Sequence, residues 1–236
     1  MSDMDPECVV CHAPLVYLKE TELMECCICH GVFPSSARCA NGHYVCDSCH
    51  SRRGVSTAKE VCMSTDSRDP VEVLRMLMAM PGVHMHGPEH HVLVGSALIT
   101  AYANSGGEVD LGKALDEMSR RGSQLPGGVC GLWGSCGAAV SCGMAYSIIT
   151  GSSPLSGETW AECNLMTSRC LEAISRHGGP RCCKRDGYSA LLAASEFIRE
   201  RLGVGLEVPD GIVCIHFRSN PQCLGGRCPY HPVGQS

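Results

Sequence analysis

The chain has 236 residues, with 24 acidic against 19 basic side chains and a formal charge of −5. The basic residues are scattered, which excludes a broad nucleic-acid footprint. Its 19 cysteines are an odd number, so complete internal disulfide pairing is excluded, and thiols in such number point to a reducing compartment and to metal or redox work. The length suits one domain of ordinary size plus a small appended one.

The N-terminal stretch Met-Ser-Asp-Met-Asp-Pro is acidic and lacks an apolar run, so no secretory leader is expected. The longest apolar runs, near 92–103 and 138–149, fall short of the roughly 18 residues that read as a membrane span. A cytoplasmic protein without membrane attachment is the expectation.

Nine of the cysteines fall within residues 1–62. Three pairs there share the Cys-x2-Cys form: Cys8 with Cys11, Cys26 with Cys29, and Cys46 with Cys49; Cys39 and His43 supply a fourth pair. Each knuckle turns two thiolates toward one ion, and eight ligands complete two closed tetrahedra with no position left for water. Two zinc ions in a structural or docking module are therefore expected, with a protein as the partner. Cys27, His30, His50 and Cys62 are left over as bystanders or supporting groups. The run from Cys26 to Cys49 resembles the first six ligands of a RING-type domain. The two ligands such a domain supplies downstream are missing, and Cys8 and Cys11 stand upstream where they could fill the gap. That departure weighs against ubiquitin-ligase activity. A cross-braced pairing and a sequential one both fit the spacing.

The module, residues 1–62, is poor in large apolar residues, so metal must supply most of its folding free energy, on the order of 10 kcal/mol per structural zinc. Residues 63–236 carry the apolar content. Polar and small residues make 51–68 read as a linker. Asp69 then caps a helix whose first position is Pro70, with Glu72 placed to complete a capping box; Val71, Leu74, Leu77 and Met78 follow at helical spacing. A second helix, 88–103, is apolar nearly all round and reads as central and buried. A more polar helix covers 110–121. A glycine-rich stretch, 126–139, leads into a helix ending near Thr150, another spans 157–177, and the last runs 187–202 with Asp186 as cap. The run Ile212-Val-Cys-Ile-His-Phe reads as a short strand. The predicted architecture is mainly α: a two-zinc module, an all-α domain and a short cysteine-rich tail.

Four places in the helical domain could carry chemistry. The first, at the turn before the buried helix, holds His84, His86, Glu89, His90 and His91, a donor set suited to iron or zinc; His86, Glu89, His90 and His91 are the candidate ligands. In the second, glycine density around Cys130 and Cys136 frees backbone N–H groups for an anion, and Cys136 stands at a helix N-terminus. The third is Arg181-Cys182-Cys183-Lys184-Arg185, where three cations beside two thiols would lower their pKa. Cys136, Cys182, Cys183 and Lys184 are the candidate catalytic groups, with an anionic small molecule as a possible ligand. The fourth is Cys214, Cys223 and Cys228 in a Gly/Pro-rich tail; Cys228-Pro resembles the pair common at iron–sulfur ligands. With Cys182 or Cys183 these three would complete a [4Fe–4S] cluster, a third zinc being the competing reading, and Cys130 and Cys136 are further candidate ligands. Cys163 and Cys170 lie a heptad apart on an apolar stripe and read as core.

Taken together, the blocks His86-Gly-Pro-Glu-His-His, Gly127-Gly-x-Cys-Gly-x-Trp-Gly-x-Cys-Gly-Ala and Gly178-Gly-Pro-Arg-Cys-Cys-Lys-Arg resemble a cysteine-rich domain-of-unknown-function family of anaerobic bacteria and methanogenic archaea. The Cys136-Gly-Ala helix entry is also similar to small helical redox proteins with a C-GCAxxG-C-C pattern. That family carries no established activity to transfer, though an anaerobic source would suit oxygen-sensitive thiolate or iron–sulfur chemistry. The residues themselves read as a cytosolic iron–sulfur or thiol-dependent protein of redox or sulfur-transfer chemistry, with a non-catalytic metal-binding adaptor or assembly factor as the other class.

Chelation tests the division into module and core. Stripping two zinc ions per chain should abolish order in the N-terminal segment while far-UV circular dichroism retains the helices after residue 70, which rest on their own apolar core.

Overall fold

The computed structural model describes residues 8, 10, 11 and 13–235; the N-terminal stretch read above lies outside them. Two antiparallel strands, β1 (Leu15–Glu25) and β2 (Val32–Cys39), open the described chain, paired from Leu15 opposite Cys39 to Glu25 opposite Val32 with an irregularity between Tyr17 and Glu22. Most of the hairpin is exposed, and its buried residues are the metal-ligand candidates Cys26 and Cys39 with Met24. Two such strands are marginal alone, so the cysteine clusters at its ends must hold it.

Two helices, α1 (Asp47–Ser56) and α2 (Ala58–Ser64), occupy most of the stretch that reads as a linker. The reason lies in α2: Ala58 and Cys62, four residues apart on one face, are both buried in the main core. Tertiary burial overrides a locally weak pattern. Helix α3 (Pro70–Met78) starts as its punctuation requires, with the Asp69 carboxylate accepting from the Val71 N–H at 2.7 Å. Glu72 does not reach back to the cap; its carboxylate accepts instead from Ser67 Oγ at 2.6 Å.

Helix α4 (His90–Asn104) is the axis of the fold. Thirteen of its residues are buried, and it packs against α2, α3, α5 (Leu111–Gly122), α7 (Gly137–Ile149) and α9 (Cys183–Leu202). Asp110 caps α5 through the Lys113 N–H. The glycine-rich stretch carries a single helical turn, α6 (Val129–Leu132), before α7, and α8 (Glu158–Ser175) packs on α7 and α9. Small residues set the closest approach: a Cβ at Gly95 of α4 would lie 2.9 Å from the Ser141 carbonyl of α7. There Ser141 Oγ accepts from the Gly95 N–H at 2.8 Å and donates to the His91 carbonyl at 2.6 Å, stitching the two helices together.

The last long helix begins four residues before the expected start. Cys182 is its N-cap, and Asp186, read as the cap, lies within the first turn and accepts from the Cys182 N–H at 3.2 Å. Lys184, Arg185 and Asp186 are all buried, because each has a partner that local sequence does not reveal. The segment 212–217 forms no strand. Its Cys214 N–H pairs singly with the Tyr230 carbonyl at 2.7 Å, and the tail continues in short 3-10 turns. No helix among the described residues is long and apolar enough to cross a membrane.

Replacing Gly95 by alanine should destabilise the helical core. The Cβ meets backbone of α7, which cannot swing aside, so overpacking of about 1–3 kcal/mol outweighs the roughly 1 kcal/mol that alanine gains over glycine within a helix. Urea denaturation should show a lower midpoint with an unchanged slope.

Candidate functional site

Two groups of four ligands sit in the module. Cys8, Cys11, Cys39 and His43 form one, and Cys26, Cys29, Cys46 and Cys49 the other, each with its ligand atoms all within 4.8 Å of one another. The pairing is the cross-braced one, in which the first and third pairs share one centre and the second and fourth share the other. Separations such as 3.4 Å between the Cys11 and Cys39 sulfurs and 3.7 Å between those of Cys29 and Cys46 are close to the edge of about 3.8 Å that a tetrahedron with zinc–sulfur bonds of 2.3 Å requires. Backbone supports the thiolate form. Hydrogen bonding from the backbone at Ala13 brings Cys11 down to about 6. At Cys26 burial opposes ionisation, but the backbone at residues 28, 29 and 46 outweighs it and the result is again about 6. Either group could hold a metal ion such as zinc.

Helices α4, α7 and α9 bring their N-terminal ends together beside this module. The link to it is direct: the Gly127 N–H donates to the Asp47 carboxylate at 2.7 Å, and Asp47 follows the ligand Cys46. Cys136, N-cap of α7, lies 4.0 Å from Asp186 of α9. Lys184 of α9 donates to His90 Nε2 and to the His84 carbonyl, each at 3.0 Å. The three turns singled out by sequence therefore meet.

Their side chains divide into separate tasks. His90 accepts from Lys184, so its Nδ1 carries the proton and donates to the Gly87 carbonyl at 3.1 Å. Burial, reinforced by the Lys184 charge, pulls its pKa down to about 3. His91 bonds the Leu125 carbonyl at 3.0 Å, and its ring lies so close to α7 that a Cβ at Gly137 would strike it. His86 donates to Asn220 Oδ1 at 3.2 Å and is pulled down to about 4 by burial. Glu89 has no exposed surface and faces His84 and, from the module, His50. Of the four expected metal ligands in this turn, only Glu89 thus belongs to a group of closely spaced donors; His86, His90 and His91 are engaged elsewhere.

The adjacent cysteines also part company. Cys183 turns toward the backbone at Gly87, and burial pushes its thiol up to about 12. Burial and then the Asp186 charge do the same to Cys136, also to about 12, while Cys130 lies nearby on α6. Lys184 is itself lowered by burial. Desolvation therefore outweighs the three cations at this turn, of which Arg185 is spent on Asp186 and on the Gly178 and Pro180 carbonyls.

Cys182 faces the other way. With Cys214, Cys223 and Cys228 it lines a small cavity of about 20 Å³, whose walls also include Arg185, Asn220 and Phe217. Asn220 Nδ2 donates to the Cys182 sulfur at 3.5 Å and the Gly225 N–H to the Cys223 sulfur at 3.4 Å. Sequence located all four cysteines but not Asn220, whose part depends on a fold that brings position 220 over the start of α9. Cys142 and Cys170 are buried in the core, and Cys163 packs against it.

Residues 58–231 match DUF5714, a family of unknown function. The chain belongs to that family. The match opens at the first residue of α2, so it takes in the helical domain, all four cavity cysteines, His84 and Glu89, and leaves outside it the eight module ligands and His50. No curated protein and no solved structure matches the chain.

Proposed function

We propose that this protein is a cytosolic iron–sulfur protein, in which Cys182, Cys214, Cys223 and Cys228 ligate a [4Fe–4S] cluster and the N-terminal module holds two structural zinc ions. The observation that supports it is the meeting of these four cysteines, from two segments far apart in the chain, around one cavity. A cubane assigns each thiolate its own iron, so its ligands stand wider than those of a single ion, and a cavity rather than a tight tetrahedron is the matching shape. The N–H donors to the Cys182 and Cys223 sulfurs would tune the potential of such a cluster.

Thiol chemistry weighs against a free nucleophile. Burial raises the thiol of Cys182, as it does that of Cys183, so neither is a ready thiolate at neutral pH. A metal ligand escapes that penalty, because the metal displaces the proton. The cluster would take one electron from a donor protein and pass it to an acceptor, the reaction class being redox. The hairpin of the module exposes Tyr17, Leu23, Val32 and Phe33, which suits it to docking such a partner.

Purification without oxygen should give a brown protein with about four iron and four sulfide per chain and, once reduced, an EPR signal lost on oxidation. Cys214→Ser and Cys228→Ser should lose most of the iron, while Cys163→Ser, in the packing of α8, keeps it. A colourless wild-type protein containing zinc alone would overturn this reading in favour of a metal-binding adaptor.

A further inference from the structure

One group of donors serves neither the module's two centres nor the cavity. Glu89 has no exposed surface, yet its Oε2 has no hydrogen-bond partner. His50 Nδ1, 3.7 Å away, is buried and likewise without a partner. His84 Nδ1 stands 3.3 Å from the other carboxylate oxygen, and the two imidazole rings approach to 4.0 Å between centroids. One donor atom from each of the three residues falls within a common 4.8 Å.

We propose that His50, His84 and Glu89 form a third metal site, a two-histidine, one-carboxylate centre for a divalent first-row transition metal, closed between the cysteine-rich module and the helical domain.

The physical case begins with the carboxylate. Glu89 has no exposed surface, and the two imidazoles of His50 and His84 are the donor rings that face it. A buried anion needs a cation, and a buried carboxylate oxygen facing a buried ring nitrogen, neither of them hydrogen-bonded, costs stability. One metal ion satisfies Oε2, His50 Nδ1 and His84 Nδ1 together. Lys184 of α9 donates to His90 and the His84 carbonyl rather than to this carboxylate.

The surroundings are built to hold the carboxylate still. The His84 N–H donates to Glu89 Oε1 at 2.8 Å, and a Cβ at Gly87 would collide with both carboxylate oxygens, so only glycine leaves room for them. The rings of His50 and His84 keep 23% and 33% of their surface exposed, which leaves the site open to a water or a small anionic ligand. Three protein ligands with an open position suit catalytic zinc or non-haem ferrous iron rather than a closed structural centre. His50 directly follows the module ligand Cys49, so this ion would also clamp the module onto the domain that carries His84 and Glu89.

Cobalt(II) tests the site in the full chain, with both cysteine-rich centres already loaded with zinc. The expected result is one cobalt per chain after desalting, by elemental analysis, with weak ligand-field bands and no thiolate-to-cobalt charge transfer. His84→Ala, His50→Ala and Glu89→Gln should each weaken cobalt binding at least tenfold while two zinc ions remain. His30→Ala, an exposed histidine paired with Glu25 on the hairpin, should leave it unchanged. Circular dichroism checks that each variant is folded, and the wild-type spectrum stands even where a variant is not. Failure to take up cobalt, charge-transfer bands showing thiolate ligation, or unchanged affinity in all three variants would overturn the proposal. None of these outcomes depends on iron in the cavity.

Discussion

A helix buried on every side sets the terms for the rest of this molecule. Because α4 has no solvent face over most of its length, the polar turn that opens it is carried into the interior along with it. Glu89, His90 and His91 are all buried, and each buried polar group must find a partner or cost stability. The partners come from three places: Lys184 from the start of α9 for His90, the Leu125 carbonyl from the approach to α7 for His91, and the His84 N–H for one oxygen of Glu89. The convergence of helix N-termini follows from that demand. Once α9 is drawn in by Lys184, Cys182 one turn-edge away is fixed at the mouth of the tail, and the cavity cysteines have something to close on.

The two parts of the chain are stabilised by different physics. The helical domain buries a continuous core of Leu, Ile, Val, Met and aromatic side chains from α2 through the tail, with Tyr146 edge-on to Phe197 at 5.2 Å between centroids. The module has almost no apolar interior, and its buried residues before α1 are nearly all cysteine. With so little apolar burial, its order has to come from the two cysteine-rich clusters, and its orientation from polar contacts such as Asp47 with the Gly127 N–H.

Much of this was legible in sequence where the determinants are local. The knuckles picked out the eight residues that the fold gathers into two groups of four, Asp69-Pro70 marked the start of α3, and the all-apolar run marked α4 as central. The failures share one cause: long-range partners. The stretch 51–68 looked like a linker because Ala58 and Cys62 acquire their meaning only against α4. The start of α9 was placed too late because a run of charged residues reads as solvent-facing, whereas Arg185 and Asp186 satisfy each other at 3.0 Å in the interior. His50 was left aside for the same reason, since nothing in its local pattern places it beside His84 and Glu89.

The Cys182-Cys183 pair shows how one turn serves two environments. Successive residues at a helix start point about 100° apart, so a single step along the chain takes Cys182 into the cavity and Cys183 against the Gly87 backbone. Asn220 couples the two sides. It accepts from His86, which belongs to the turn before α4, and donates to the Cys182 sulfur. A change of charge on that sulfur, whether by metal binding or by electron transfer, is therefore felt first by an amide that also holds the histidine turn in place. The route from cavity to histidine turn is two hydrogen bonds long, and it runs through side chains that are buried or nearly so, where electrostatic effects are least screened.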